Sequence, residues 1–135
     1  MLTLAAIKNL HTKSIDFVLA YPQANLDVDI YMELPKGFNL GPESGRYLLK
    51  LQKNLYGLKQ AGHNWFEKLS SALGNLSINP SKADPCVFIR DDTIVLVYVD
   101  DFLVFPRDKD KINQLIDKLN KKENLDVTDE GDVDK

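Results

Sequence analysis

Residues 94–105 read IVLVYVDDFLVF, two apolar runs that meet at a pair of aspartates. Runs separated by so few residues pair as antiparallel strands, so this stretch predicts the centre of an antiparallel sheet. A solvated turn is the ordinary explanation of adjacent aspartates. Asp100 and Asp101 have no other polar neighbours, however, and a two-residue turn prefers Asn-Gly or Asp-Gly. They also repel by about 1 kcal/mol at ~4 Å in water, which favours a functional interpretation.

A second aspartate pair and a single aspartate bear on that interpretation. Asp91 and Asp92 form the same dipeptide between apolar runs, but Arg90 and Thr93 flank them, so a polar turn suffices there. Asp16 interrupts a predicted strand over residues 14–20. If that strand lies beside the hairpin, three carboxylates converge. Such a set suits two magnesium or manganese ions about 3.5–4 Å apart, as in phosphoryl transfer. The spacing alone leaves the adjacency of the strands open.

The remaining pattern predicts helices alternating with mostly antiparallel strands, which is an α+β architecture. A first helix ends near residues 9–10, and helical stripes follow at 65–76 and 112–119, the latter with Asp108 or Asp110 as N-cap. The predicted strands are 14–20, 28–34, 47–51, 86–89, 94–99 and 102–105. Residues 123–135 are acidic and show no packing pattern. No domain boundary is visible.

Composition excludes several classes of protein. The 135 residues carry 17 Lys plus Arg against 20 Asp plus Glu, a net charge of −3, which argues against a whole-surface nucleic-acid binder but allows a local basic face. The apolar runs are far shorter than the roughly 20 residues that span a bilayer, and the start has no signal-peptide pattern. Cys86 is the single cysteine, expected to be a buried thiol, and no Cys/His spacing resembles a zinc site.

Five segments carry a family resemblance. They are DFVLAY at 16–21, IYMELPKGF at 30–38, LYGLKQAGHNW at 55–65, SKADPCVF at 81–88 and LVYVDD at 96–101. In this order they resemble the reverse transcriptase of copia-type LTR retrotransposons over nearly the whole chain. The resemblance implies a right-hand polymerase fold. Residues 1–135 would form a single partial domain, the palm (an antiparallel sheet packed on helices) with part of the fingers, truncated at both ends.

The resemblance also assigns roles to residues. It implies that Asp16, Asp100 and Asp101 are catalytic and bind two Mg²⁺ or Mn²⁺ ions, with help from the main-chain carbonyl of Phe17. Tyr21 matches the aromatic steric gate that rejects a ribose 2′-hydroxyl. Without the family context, a half-exposed aromatic beside Pro22 is the simpler interpretation of Tyr21.

Other matching positions concern nucleotide and nucleic acid. Tyr56 and Gln60 both fit the contact to the incoming nucleotide, and the motif leaves the choice open. Lys53, Lys59 and Tyr98 are candidates for binding nucleic acid, although solvated lysines are an equally simple interpretation. Many family members have Pro and Arg where this chain has Gly62 and His63, which puts a basic contact there in doubt at neutral pH.

The implied function is RNA-directed DNA polymerisation, the addition of dNTPs to a primer 3′-hydroxyl by two-metal phosphoryl transfer. Implied partners are an RNA or DNA template with primer, dNTPs and the remaining polyprotein regions (thumb, RNase H and integrase), with no membrane. Particle-associated cytoplasmic localisation would follow for an active element. Three alternatives stay open: an inactive retroelement relic, a cyclase-like nucleotidyl-transfer domain, and a binding module adopted by the host.

Overall fold

The helices and strands follow the predicted order, with additions at four places. The structure is a computed structural model that describes residues 2–38, 40–42, 44–91 and 93–132. Its helices are α1 Leu2–Ile7, α2 Ala20–Gln23, α3 Ala61–Asn75 and α4 Asp110–Lys122, with a 3-10 helix at Ser44–Arg46. Its strands are β1 Lys13–Phe17, β2 Tyr31–Glu33, β3 Leu48–Lys50, β4 Asn79–Pro80, β5 Val87–Arg90, β6 Thr93–Tyr98, β7 Asp101–Phe105 and β8 Val127–Asp132.

The main sheet has six strands in the order β4-β5-β6-β7-β1-β8. Every pairing in it is antiparallel. β2 and β3 form a separate two-stranded antiparallel ribbon. The α+β prediction with an antiparallel sheet is therefore confirmed. The sheet also answers the question that spacing left open, because β1 lies directly beside β7.

Helices α3 and α4 cover one face of the main sheet. Alternation along β1 turns Ile15 and Phe17 into that face, and β7 contributes Phe102 and Val104 in the same way. The helices supply the other side of this core with Trp65, Leu69, Leu73, Ile112, Leu115 and Leu119. A smaller cluster of Ala5, Leu10 and Phe105 packs with Ile94, Leu96 and Leu103. Asp16 and Asp101 thus lie on the face opposite α3 and α4.

Two predicted strands are shorter than expected. The strand predicted over 14–20 ends at Phe17, because Leu19 adopts φ 51° and a helical turn begins at Ala20. Pro22 lies inside that turn and does not end a strand, as an early helical position needs no backbone N–H. The strand predicted over 28–34 forms only at Tyr31–Glu33, where all three residues are exposed.

The C-terminal part of the chain contradicts its prediction. Residues 123–132 do pack: Leu125 and Val127 are buried, and β8 pairs with β1 along its length. Leu125 precedes the strand and Val127 begins it, and two buried residues are too short a pattern to be recognised as periodic. Elsewhere, α3 begins at Ala61, four residues before the predicted stripe, and Cys86 is partly exposed. No helix in the described ranges is long and apolar enough to cross a membrane.

Candidate active site

Two of the predicted aspartates face each other on adjacent strands. Asp16 of β1 is the direct cross-strand partner of Asp101 of β7. Directly opposed residues project from the same face of a sheet with their Cβ atoms about 4.5–5.5 Å apart. The sheet order therefore brings together two carboxylates whose residues are 85 positions apart in the sequence.

The third aspartate sits in the adjoining turn. Tyr98 pairs with Asp101, so the two turn residues are Val99 and Asp100, one position earlier than the aspartate pair suggested. Val99 has φ 60°, a conformation that is rare for a β-branched residue. Such backbone strain costs on the order of 1–3 kcal/mol and persists only where the surroundings impose it. Asp91, in the other acidic turn, is exposed and also has positive φ.

A group of buried aromatic rings lies beneath these aspartates. Phe17 follows Asp16 and packs edge-on against Phe102, with ring centroids 5.3 Å apart. Trp65 of α3 packs edge-on against Phe17 at 4.9 Å. The indole Nε1 of Trp65 also donates a hydrogen bond of 2.8 Å to the carbonyl oxygen of Val99. The aromatic group of Phe17, Trp65 and Phe102 thus contacts β1, β7 and the turn between β6 and β7.

The electrostatics at Asp16 reflect crowding of negative charge. Partial burial raises the pKa of the Asp16 carboxyl. The negative charge of Glu130 raises this pKa further, and those of Asp100 and Asp101 act in the same direction. A backbone hydrogen bond at Phe17 offsets part of the rise. A cation at this position would favour the charged carboxylate, and would so offset both the cost of burial and the repulsion from the neighbouring carboxylates.

Two tyrosines stand beside the turn. Tyr21 of α2 stacks on Tyr56, with ring centroids 4.4 Å apart and planes 29° from parallel. The Tyr56 hydroxyl donates a long hydrogen bond of 3.4 Å to Oδ2 of Asp100. Burial raises the pKa of Tyr56, and the Asp100 charge raises it further, so the hydroxyl keeps its proton at neutral pH. The aromatic pair therefore reaches the aspartates through Tyr56.

Comparison with known proteins identifies the family. A family model described as reverse transcriptase (RNA-dependent DNA polymerase) matches residues 1–135. The chain belongs to the reverse transcriptase family. The resemblance seen in the sequence motifs is thereby confirmed, and the similar proteins below place this reverse transcriptase chain among those of copia-type elements.

Three curated polyproteins are similar to this reverse transcriptase chain. The retrovirus-related Pol polyprotein from transposon TNT 1-94 of Nicotiana tabacum is 35% identical over 97% of the chain. The transposon Ty1-BL Gag-Pol polyprotein of Saccharomyces cerevisiae is 29% identical over 98% of it. A truncated transposon Ty1-A Gag-Pol polyprotein of the same yeast is 28% identical over 98%. The chain spans only 10%, 7% and 11% of these relatives, respectively.

The donor atoms of this reverse transcriptase chain suit a divalent metal ion. Carboxylate and backbone carbonyl oxygens are the ligands that magnesium prefers. Within the described residues, no three acidic, histidine or cysteine side chains are already gathered as a metal site. Asp16 and Asp101 share a face and a register, which makes them the first candidate ligands for such an ion. Asp100 and the carbonyl of Phe17 are the remaining candidate ligands.

The other residues predicted to contact nucleotide or nucleic acid differ in how they lie relative to the aspartates. Tyr98 is 73% exposed beside the turn, on the strand that leads into it. Gln60 lies at the start of α3 and Lys59 is exposed just before it, but neither contacts the aspartates in the described part of the chain. Lys53 donates a hydrogen bond of 2.6 Å to the side chain of Asn25. Of the two candidates for the nucleotide contact, Tyr56 is the one that touches an aspartate.

Sequence reasoning did not place two residues in this site. Trp65 begins the apolar stripe predicted over 65–76, which indicates core packing, although a buried indole N–H usually requires an acceptor and is a signal of a polar role. Glu130 falls in the stretch for which no structure was predicted. It accepts a hydrogen bond of 2.9 Å from Ser14 and its charge acts on Asp16.

Proposed function

We propose that this chain is the polymerase-site segment of a copia-type RNA-directed DNA polymerase, which adds dNTPs to a primer 3′-hydroxyl. One observation carries the proposal: Asp16 and Asp101 are cross-strand partners, and Asp100 occupies the adjoining turn. Family membership and the polyprotein context of the similar proteins support it.

In the proposed mechanism, the chain positions reactants and compensates charge. Asp16, Asp100 and Asp101 would hold the divalent ions, with the Phe17 carbonyl as an added ligand. Two such ions, when bound, activate the primer hydroxyl and stabilise the leaving pyrophosphate. The aspartates contribute by fixing where the α-phosphate of the nucleotide lies relative to that hydroxyl. The backbone register of β1 and β7 sets the spacing of Asp16 and Asp101.

The stacked tyrosines would select the sugar. We assign Tyr21 as the ring beneath the deoxyribose, where a 2′-hydroxyl would collide with it. Tyr56 supports Tyr21 from one side and is tied to Asp100 at the other. This arrangement favours Tyr56 over Gln60 as the residue that senses the nucleotide, since Gln60 has no such link to the aspartates.

The proposal extends to the architecture around the site. The six-stranded sheet with α3 and α4 would form the palm, and the ribbon of β2 and β3 would belong to the fingers, all within one partial domain over residues 1–135. Thumb, RNase H and integrase regions of a polyprotein would be partners of this segment, together with template, primer and dNTPs. Lys53, Lys59 and Tyr98 would contact nucleic acid, and an active element would place the chain in cytoplasmic particles.

Primer extension tests the proposed function. The polyprotein that carries this segment is incubated with an RNA template, a DNA primer, dNTPs and Mg²⁺. We expect Asp100→Asn to reduce the extension rate by about 100-fold or more, because a preorganised charge at the reacting centre is removed. Asp91→Asn is the matched control, since it makes the same change in the other acidic turn and should leave the rate within twofold of wild type.

The result separates this proposal from its alternatives. Loss of extension in Asp100→Asn but not Asp91→Asn supports the assignment, whereas extension by Asp100→Asn at the wild-type rate refutes it. A wild-type polyprotein without any extension activity supports the inactive relic. The cyclase-like alternative is not retained, because the whole chain matches the reverse transcriptase family.

A further inference from the structure

A single hydrogen bond connects the core helix to the strained turn beside the aspartates. Trp65 is 1% exposed, and its indole N–H donates to the Val99 carbonyl across a sequence separation of 34 residues. The indole has one donor and no acceptor, so this bond satisfies all of its hydrogen-bonding capacity. Val99 holds φ 60° at the position that bears this bond.

The same side chain is linked to the other two aspartates by ring contacts. Trp65 packs edge-on against Phe17, the residue after Asp16. Phe17 in turn packs edge-on against Phe102, the residue after Asp101. Each aspartate is therefore adjacent in sequence to a residue that belongs to, or is bonded by, the aromatic group. A shift of Trp65 would be transmitted to all three carboxylates, because packed interiors have little free volume.

We propose that Trp65 is a positioning residue, whose indole N–H holds the Val99–Asp100 turn in the strained conformation that aligns Asp100 with Asp16 and Asp101. This inference rests on the proposed function of the aspartates. A backbone carbonyl is fixed by the chain geometry of its residue, so anchoring the Val99 carbonyl fixes the peptide plane that leads into Asp100. Without the bond, a β-branched residue prefers negative φ and the turn relaxes.

Kinetics of Trp65→Phe test the inference, since phenylalanine keeps an aromatic ring and removes the N–H. In the primer-extension assay we expect kcat to fall about tenfold, equivalent to about 1.4 kcal/mol in the barrier, with KM for dNTP changed less than twofold. Phe88→Leu is the matched control: it reduces a fully buried ring of the same core on β5, away from the site. It should lower stability without lowering kcat.

Rescue distinguishes positioning from simple core packing. Glycine adopts positive φ without strain, so Val99→Gly should favour the turn conformation in the absence of the indole bond. The double variant Trp65→Phe/Val99→Gly is expected to recover at least half of the wild-type kcat. If Trp65→Phe alone keeps full kcat, or if Val99→Gly restores nothing to it, the positioning role is refuted.

A second measurement is made on the wild-type protein and does not depend on activity, so misfolding of a variant cannot affect it. Trp65 is the only tryptophan of the chain, so its indole proton gives a single side-chain resonance in NMR. We expect that proton in the wild-type chain to exchange at least 100-fold more slowly than a free indole. Exchange at the free rate overturns the inference. If the indole proton is protected but wild type and Asp100→Asn have equal activity, the proposed function fails and the hydrogen bond stands.

Discussion

At the scale of single residues, the position of Tyr21 depends on two neighbours. Tyr56 stacks on its ring, and Gly62 lies close to its hydroxyl, where an added Cβ would make an ordinary van der Waals contact at 3.6 Å from the oxygen. Pro22 follows it within the same helical turn and restricts the backbone. The ring is thus held by stacking and by the backbone, which is what a steric filter requires.

Removing the ring should weaken sugar discrimination. We expect Tyr21→Ala to reduce the preference for dNTP over rNTP, measured as the ratio of kcat/KM values, by about 10- to 100-fold, because the clash with the 2′-hydroxyl disappears. Tyr31→Ala removes an exposed tyrosine of β2 and serves as the control, with an unchanged ratio. An unchanged ratio in Tyr21→Ala would contradict the gate assignment.

The sequence singles out the candidate aspartates but does not predict the local geometry around them. Asp16, Asp100 and Asp101 stand out in the sequence because each is polar beside apolar runs. The shift of the turn to Val99 and Asp100 was not predictable, since local preferences disfavour a β-branched residue with positive φ. The tertiary bond from Trp65 favours this turn against local preference, and no local pattern contains that bond.

At the scale of elements, a clear period of apolar residues is sufficient to predict a helix or strand, and a weak period is not. The meander of β5, β6 and β7 and the helix α4 follow apolar patterns with clear periods. The predicted N-cap of α4 is wrong: Lys109 occupies that position without a side-chain capping bond, and Asp108, one residue earlier, accepts a hydrogen bond from the Asp110 backbone. By contrast, β8 carries Val127 as its buried residue and is recognisable only once β1 lies beside it.

Two buried amides join elements that the sequence does not relate. Asn54 is fully buried and donates hydrogen bonds to the carbonyls of Ala24 and Asn25, at 3.2 and 2.7 Å. Asn64 of α3 donates to Asp27 at 3.0 Å, and this bond lowers the pKa of that carboxyl. Together they fix the loop after α2 to the segment before α3. That connection holds Tyr21 and Tyr56 at their stacking distance.

Truncating the first amide should destabilise the chain. We expect Asn54→Ala to lower the free energy of unfolding by about 1–3 kcal/mol, because the buried carbonyl of Ala24 and the partly buried carbonyl of Asn25 lose a side-chain donor. Asn75→Ala is the control: its side chain bonds to Glu123 at the surface, and the loss should stay within about 0.5 kcal/mol. Urea unfolding measures both, and equal effects of the two variants would show that the Asn54 contacts are not stabilising.

At the scale of the whole molecule, the two acidic groups with shifted pKa values on β1 and β8 act on stability with opposite sign. The ion pair with Lys13 lowers the pKa of Asp129, so its stabilisation is present above the unfolded pKa and is lost as pH falls through the lowered value. The raised pKa of Asp16 has the reverse effect. Its destabilisation is full above the raised pKa and disappears as pH falls toward the unfolded value.

The destabilising effect of the charged Asp16 carboxylate at neutral pH leads to a prediction about metal binding. In metal-free buffer at pH 7, we expect Asp16→Asn to raise the midpoint of thermal unfolding by about 1–3 °C, since it removes the cost of partly burying a charge and its repulsion by neighbouring carboxylates, together worth less than about 1 kcal/mol. Added Mg²⁺ should reverse the order. At ten times its Kd the ion stabilises the wild-type chain by about 1.4 kcal/mol, and Asp16→Asn should gain much less.

The control for this reversal is Asp91→Asn, which changes a carboxylate in the other acidic turn and should gain from Mg²⁺ as the wild type does. Calorimetry with and without Mg²⁺ measures all three proteins. An equal gain in Asp16→Asn would place the ion away from β1. If Asp16→Asn lowers the unfolding midpoint in metal-free buffer, the Asp16 carboxylate stabilises the sheet by itself. The crowding of charge at the paired aspartates would then have no part in attracting a cation.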